Sequence, residues 1–90
     1  MQYESKSSFD RVFKKLSPKD KEEVITAIET LIDVMERKTT PSQGLGMKRI
    51  GKNYWEVRVG LELRILCEVS DKLILFFVGN HDEVKRFIRN

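Results

Sequence analysis

Apolar and polar residues alternate along the second half of the chain, and this pattern predicts a β-sheet. Two alternating runs at 54–59 and 63–69 are separated by three turn-forming residues, so they predict a β-hairpin. Two further strands are predicted at 47–50 and 72–78. A short strand near residues 2–4 is also compatible with the pattern. This half of the chain therefore predicts an antiparallel meander.

In the first half, apolar residues recur at helical spacing instead. The first predicted helix begins in the Ser-Ser-Phe-Asp run at 7–10, which resembles a capping box with Asp in the place of Glu. The second begins with Ser17 as N-cap and Pro18 as the first helical residue, and Ile25 belongs to its apolar stripe. A loop rich in helix-breaking and hydroxyl residues is predicted at 39–46. A short last helix is predicted with Asn80 as its cap, Glu83 three residues further on and Ile88 on its inward face.

The alternation also assigns side chains to the two faces of the sheet. The face predicted to pack on the two helices carries Trp55, Val57, Val59, Leu63, Ile65 and Cys67 and, with a two-residue turn at 70–71, Ile74, Phe76 and Val78. The last helix is predicted to cover Leu66, Leu75 and Phe77 on the other face. The predicted fold class is α+β: an N-terminal helical hairpin on a four-stranded, mainly antiparallel sheet, with a short C-terminal helix.

Length and composition limit the class of protein. The chain has 90 residues, 40% of them hydrophobic and 34% charged, which predicts one globular domain over 1–90. No apolar run approaches the roughly 20 residues that a membrane span needs. A lone Cys67 and a polar N-terminus without a signal peptide predict a cytoplasmic protein. The net charge of +3 is compatible with nucleic-acid binding and does not require it.

The predicted hairpin places two arginines opposite each other. With a turn at 60–62, Arg58 lies directly across the ladder from Arg64. Like charges in this arrangement destabilise a sheet by up to about 1 kcal/mol. An anion between the guanidinium groups would remove the repulsion, and phosphate fits their geometry. The alternative is a surface network in which the arginines pair with Glu56 and Glu62.

Residues near this pair could move protons. RNA cleavage requires activation of a 2′-hydroxyl, stabilisation of the phosphorane and protonation of the leaving 5′-oxygen. His81 is predicted at the start of the last helix, where the macrodipole disfavours imidazolium and leaves a proton acceptor. Glu56 is either a second base or an ion-pair partner that orients Arg58. The alternative for His81 is a solvated surface residue. One His and one Cys predict no metal site, and no cofactor is predicted.

The order of these segments resembles the RelE/ParE superfamily, the toxin halves of bacterial type II toxin–antitoxin pairs. The segments that carry the resemblance are Lys48-Arg49-Ile50, the Trp-Glu-Val-Arg-Val-Gly run at 55–60, the Leu-Arg-Ile-Leu run at 63–66, and the Val-Gly-Asn-His-Asp run at 78–82. The resemblance implies that Arg64 stabilises a phosphate and that His81 is the catalytic histidine. It also implies that Lys48, Arg49 and Arg58 face RNA, and Lys52 is assigned to the same surface.

The resemblance further implies a function and partners. The implied function is a metal-independent, ribosome-dependent mRNA endonuclease that blocks translation and is neutralised by a cognate antitoxin. One alternative is a ParE-like inhibitor of DNA gyrase without nuclease activity. A second is a degenerate member that only binds antitoxin. The chain departs from many family nucleases after His81, because Lys85 stands where an aromatic residue is common.

Overall fold

The computed structural model describes residues 3–37 and 46–89, which contain five strands and three helices. In chain order they are β1 (Tyr3–Ser5), α1 (Ser7–Phe13), α2 (Pro18–Glu36), β2 (Met47–Arg49), β3 (Tyr54–Val59), β4 (Leu63–Val69), β5 (Leu73–Asn80) and α3 (His81–Arg89). The predicted α+β class is confirmed. Of the loop predicted at 39–46, all but Gly46 lies outside the described residues.

The five strands form one mixed sheet in the order β1-β5-β4-β3-β2. Four of them make the predicted antiparallel meander. The predicted strand count was one too low, because β1 adds to the edge of β5 as a parallel strand, with Tyr3 opposite Leu73. Parallel pairing joins segments that are distant in sequence, so the local pattern of residues does not specify it.

The hairpin of β3 and β4 has the predicted register. Val59 pairs with Leu63, and Arg58 pairs with Arg64. The turn begins at Gly60, whose φ of +62° lies in the left-handed region that glycine adopts without strain. The predicted cross-strand pairing of Arg58 with Arg64 is therefore confirmed.

The turn between β4 and β5 has three residues instead of the predicted two, since Val69 pairs with Leu73. The extra residue reverses the alternation at the start of β5. Leu73 and Leu75 are consequently the buried residues that pack in the core. The core positions predicted for Ile74 and Phe76, and the outer position predicted for Leu75, were wrong.

A β-bulge then restores the predicted alternation at the end of β5. The register shifts between Leu66 and Cys67 on β4, which leaves Phe76 as the extra residue on β5. Beyond the bulge, Phe77 lies opposite Leu66 and Val78 faces the core as predicted. The bulge therefore sets the register in which the last residues of β5, just before α3, pair with β4.

The two N-terminal helices begin differently. At α2 the hydroxyl of Ser17 accepts a bond from the amide of Asp20 at 3.1 Å, and the predicted cap is confirmed. At α1 the N-cap is Lys6, without a side-chain capping bond, so the predicted capping box was wrong. The hydroxyl of Ser8 instead donates to the carbonyl of Phe76. Because α1 follows β1 directly, its first turn lies against β5, which supplies that acceptor.

The core lies between the sheet and α1 and α2. Its buried residues are Phe9, Val24, Ile28, Leu31, Val57, Val59, Ile65, Cys67, Leu73, Leu75 and Val78. Burial raises the pKa of the Cys67 thiol to about 12, as expected for a structural cysteine held as the neutral thiol. Ile25, predicted in the α2 stripe, is 47% exposed.

Helix α3 covers part of the opposite face of the sheet. Val84 of α3 is fully buried, Leu66 on the sheet is buried as well, and the rings of Phe77 and Phe87 stack with centroids 4.6 Å apart. Ile88, predicted to face inward, is 51% exposed, so this prediction was wrong. None of the helices in the described part of the chain has the length and apolar character needed to cross a membrane.

Candidate functional site

The face of the sheet opposite α1 and α2, called the outer face below, holds the two arginines. Arg58 on β3 and Arg64 on β4 are cross-strand partners, so their side chains leave the sheet on the same side. Arg58 is exposed, whereas Arg64 is half-buried. The structure therefore brings the two guanidinium-bearing residues together as the sequence predicts.

Glu56 pairs with Arg64 and not with Arg58. The Nε of Arg64 lies 3.4 Å from the Oε1 of Glu56, and each side chain is only 16% exposed. The two residues are diagonal neighbours across the β3–β4 ladder, within reach of long side chains. The predicted pairing of Glu56 with Arg58 was wrong. Since Glu56 already balances one guanidinium, the arginine pair does not by itself require a bound anion.

The start of α3 is fixed by a reciprocal capping box. The amide of Asn80 donates to the Oε1 of Glu83 at 2.8 Å, and the amide of Glu83 donates to the Oδ1 of Asn80 at 2.8 Å. This predicted cap is confirmed. His81 is the first helical residue and is exposed, and Asn80 before it pairs with Leu63 at the start of β4. His81 therefore lies where β5 ends, beside the β3–β4 turn.

Gly79 joins the arginine surface to His81, and sequence reasoning did not single it out. It lies opposite Arg64 in the ladder. A Cβ at this position would meet the ring of Phe77 at 2.9 Å and Glu83 at 3.0 Å. The sequence did contain a signal for this position, because a glycine inside a strand often marks a place where another group lies close to the backbone. Two residues later comes His81, whose Cα is roughly 7 Å along the chain from that of Gly79.

Replacing Asn80 by Ala is expected to destabilise the protein by about 1 kcal/mol, because it removes the Oδ1 atom that accepts the bond from the amide of Glu83. Urea unfolding measures the change in the free energy of unfolding, provided that the dependence of this free energy on urea concentration is the same in both proteins. Asn53→Ala, in an exposed turn, serves as the control and should change stability by less than about 0.5 kcal/mol. Equal effects of the two substitutions would contradict a structural role for the cap.

Two of the remaining predicted RNA-binding residues, Lys48 and Arg49 on β2, lie on opposite faces of the sheet. Lys48 is exposed opposite Glu56 and so shares the outer face with the arginines. Arg49 lies opposite Trp55, and its guanidinium carbon is 5.9 Å from the centroid of that ring. Its Nε also donates to the carbonyl of Gly51 at 3.2 Å. Arg49 is thus held by its own turn, away from the arginine surface.

Lys52 is exposed in the β2–β3 turn, where its carbonyl accepts bonds from Arg49. Arg58 lies near the other end of β3, and the Cα atoms of Tyr54 and Arg58 are separated by about 13 Å. Lys52 is therefore not part of the cluster formed by the arginines and His81. Only an extended ligand would contact both regions.

A groove of about 590 Å³ lies between α2 and the end of β3. Its floor is apolar, and Glu22, Glu23, Lys19 and Arg58 contribute to its charged lining. Arg64, Glu56 and His81 do not line it. The groove therefore adjoins the outer face only at Arg58, and its carboxylates make it a poor receptor for phosphate.

The outer-face cluster has the chemical groups needed for phosphate chemistry. It combines an exposed guanidinium, a second guanidinium held by a carboxylate, and an exposed imidazole. Arginines can bind a phosphate through two parallel N–H bonds, and a histidine can transfer protons near neutral pH. Within residues 3–37 and 46–89, no three His, Cys, Asp or Glu side chains converge as a metal-binding group.

Comparison with known proteins gives a consistent structural result. No protein-family model and no curated protein sequence matches the chain. Solved structures do match. The RelB–RelE antitoxin–toxin complex from Methanococcus jannaschii contains a chain with a TM-score of 0.69 at 20% identity, covering 92% of this chain and 95% of that one.

Two other toxins have the same architecture. The E. coli DinJ–YafQ toxin–antitoxin complex contains a chain with a TM-score of 0.66 at 12% identity, covering 92% of this chain and 94% of that one. A copper-bound mutant toxin from Helicobacter pylori has a TM-score of 0.67 at 19% identity, covering 93% and 98%. The chain therefore has the RelE-like toxin fold, and the predicted fold is confirmed.

Proposed function

We propose that this protein is the toxin of a type II toxin–antitoxin pair and that it cleaves mRNA on the ribosome. The fold supports a toxin, since the similar chains are toxins. The observation that carries the nuclease activity is the placement of Arg58, Arg64 and the exposed His81 at one end of the outer face. This end of the sheet combines phosphate binding with proton transfer.

Each group has a role in the proposed reaction. The 2′-oxygen attacks the phosphorus, the bond from phosphorus to the 5′-oxygen breaks, and a 2′,3′-cyclic phosphate and a 5′-hydroxyl result. His81 accepts the proton of the 2′-hydroxyl and, as imidazolium, returns it to the 5′-oxygen directly or through water. Arg64 and Arg58 stabilise the negative charge of the phosphorane. The reaction needs no redox partner.

The proposed partner is a cognate antitoxin, since two of the similar structures are toxin–antitoxin complexes. An antitoxin that covers the outer face would prevent RNA from reaching Arg58 and Arg64. Acidic segments are suited to this surface, because their carboxylates bind guanidinium groups as phosphate does. Ribosomes and mRNA are the proposed targets of the uninhibited toxin.

Induced expression in bacteria tests the function. We expect growth arrest, with new 5′ ends in a reporter mRNA detected by primer extension, and recovery when a small open reading frame beside the toxin gene is co-expressed. Arrest with intact mRNA and induction of the SOS response would contradict the nuclease and favour gyrase inhibition. Absence of both arrest and SOS induction, with the protein present at normal abundance, would leave only antitoxin binding.

One observation favours a second candidate, a toxin-like protein that binds antitoxin without cleaving RNA. Phe87 is the nearest aromatic residue after His81 in sequence, and its ring is stacked on Phe77. It is therefore engaged in packing and cannot stack on an RNA base without disrupting α3. Lys85, four residues after His81, is exposed and supplies no aromatic surface. Primer extension distinguishes the two candidates.

A further inference from the structure

The side chain of Arg64 has contacts at two of its nitrogen atoms. Its Nε lies 3.4 Å from the Oε1 of Glu56, and its Nη1 donates to the carbonyl of Leu63 at 3.2 Å. A guanidinium group is planar and has five N–H donors in a fixed arrangement. The ion-pair contact at Nε and the hydrogen bond at Nη1 therefore restrain both the position and the plane of the group.

These two contacts leave a donor pair free. Among the described residues, the structure gives Nη2 no acceptor, and Nη1 has a second hydrogen beyond the one directed at Leu63. Nη1 and Nη2 together form the terminal edge of the guanidinium. This edge can donate two parallel bonds to one phosphate. Arg64 is thus pre-organised for an anion while it remains paired with Glu56.

Burial makes the contribution of Glu56 stronger. The side chains of Glu56 and Arg64 are each 16% exposed, so water screens their interaction only partly. If the carboxylate lost its charge, Arg64 would face the like charge of Arg58 without compensation. Glu83 is a carboxylate on the other flank, because it lies beside Gly79, the residue opposite Arg64 in the ladder. Without the charge of Glu56, we expect the guanidinium of Arg64 to shift away from Arg58 and toward Glu83.

We propose that Glu56 is a positioning residue, which holds Arg64 so that the free edge of the guanidinium receives one phosphate of the bound RNA. This inference rests on the proposed function and adds a specific role to it. Glu56 does not contact the reacting atoms in this account. It acts through Arg64, and it is therefore neither a second base nor a partner of Arg58.

The positioning is tested first without RNA. Nitrogen-15 NMR of the Arg64 Nε–H group, with inorganic phosphate as the titrant, reports both the rigidity of the side chain and anion binding. Glu56→Gln keeps the shape of the side chain and removes its charge. We expect the Nε–H signal of Arg64 to broaden and phosphate binding at Arg64 to weaken several-fold. An unchanged signal and unchanged binding would overturn the proposal.

Glu68→Gln is the matched control. Glu68 also lies on the outer face of β4 and is half-buried, and its carboxylate is 3.4 Å from the hydroxyl of Ser70 instead of an arginine. The substitution makes the same change in net charge. We expect it to leave the Arg64 signal as in the wild type. An equal effect of Glu68→Gln and Glu56→Gln would mean that net charge alone determines phosphate binding, which contradicts positioning.

Cleavage of mRNA on ribosomes is the second readout. Under single-turnover conditions, Glu56→Gln should slow cleavage roughly tenfold to a hundredfold, because a small displacement of a catalytic group has effects of this size. Ribosome affinity should change less than twofold. Glu56→Asp, which keeps the charge, should recover part of the rate. A normal rate for a folded Glu56→Gln variant would overturn the proposal.

The two readouts separate this inference from the proposed function. If the wild type shows no cleavage, the nuclease proposal fails, and the NMR titration still decides whether Glu56 positions Arg64 for phosphate. If Glu56→Gln does not fold, phosphate binding to the Glu56→Asp variant tests the proposal instead. Its shorter side chain should weaken phosphate binding at Arg64, and binding equal to the wild type would contradict the role of Glu56.

Discussion

Replacing Arg64 by Ala is expected to lower the rate of mRNA cleavage by a factor of roughly 10² to 10³, or about 2.7–4 kcal/mol of transition-state stabilisation. Arg64 is the half-buried guanidinium held by Glu56, so its loss removes a preorganised donor pair. Single-turnover cleavage of a defined mRNA on purified ribosomes measures the effect. The stability of the variant is measured alongside, so that unfolding is not mistaken for loss of activity.

Two further substitutions make the Arg64 result specific. Arg58→Ala should have a smaller effect, because Arg58 is exposed and no carboxylate holds its guanidinium among the described residues. Arg37→Ala is the control for general loss of positive charge, since Arg37 is exposed at the end of α2 and pairs with Asp33. A tenfold or greater loss of cleavage in Arg37→Ala, or none in Arg64→Ala, would contradict the assignment.

Replacing His81 by Ala is expected to lower the cleavage rate by a factor of roughly 10² to 10⁴, the range typical of general acid–base groups. His81 is exposed at the first position of α3, so the substitution removes no buried contact and the fold should remain intact. The expected signature is a loss in the single-turnover rate with little change in ribosome affinity. The same reconstituted assay measures both quantities.

Lys85→Ala controls for changes near His81 on α3. Lys85 is exposed one turn further along the helix and has no role in the proposed reaction. It should cleave at close to the wild-type rate. If His81→Ala cleaves at the wild-type rate as well, His81 is the solvated surface residue of the alternative interpretation, and another group must transfer the protons.

The β3–β4 hairpin could be predicted from sequence because all its determinants are local. Alternating residues define both strands, and Gly60 supplies the turn, so the pairing of Arg58 with Arg64 follows from counting. The capping box of Asn80 and Glu83 is equally local. Its two residues are three positions apart and satisfy each other's backbone amides. These elements determine most of the candidate site.

The errors have non-local or geometric causes. The bulge at Phe76 and the three-residue turn before β5 each add one residue, and every added residue reverses the faces that alternation predicts. The pairing of β1 with β5 depends on contacts between distant segments. The capping box predicted at 7–10 was wrong because α1 already begins at Ser7, which leaves Lys6 and no hydroxyl at the N-cap position.

The partner of Glu56 shows the limit of sequence reasoning within the site. Glu56 is two residues from Arg58 on the same strand and face, which makes that pair the obvious one in sequence. The ladder instead places Arg64 diagonally across from Glu56, and the carboxylate lies against its Nε. Which of two equally spaced arginines receives a carboxylate depends on strand twist and rotamers, which the residue pattern does not encode.

In the proposed function, the outer face at Arg58 and Arg64 receives an RNA phosphate beside His81. A cryo-electron-microscopy structure of the His81→Gln variant on a ribosome, with mRNA carrying a 2′-O-methyl group at the cleavage position, tests it directly. We expect the adjacent phosphate to lie within hydrogen-bond distance of the Nη1 and Nη2 atoms of Arg64, with Glu56 still paired to Nε. An mRNA bound at the groove beside α2, or a phosphate far from both arginines, would contradict it.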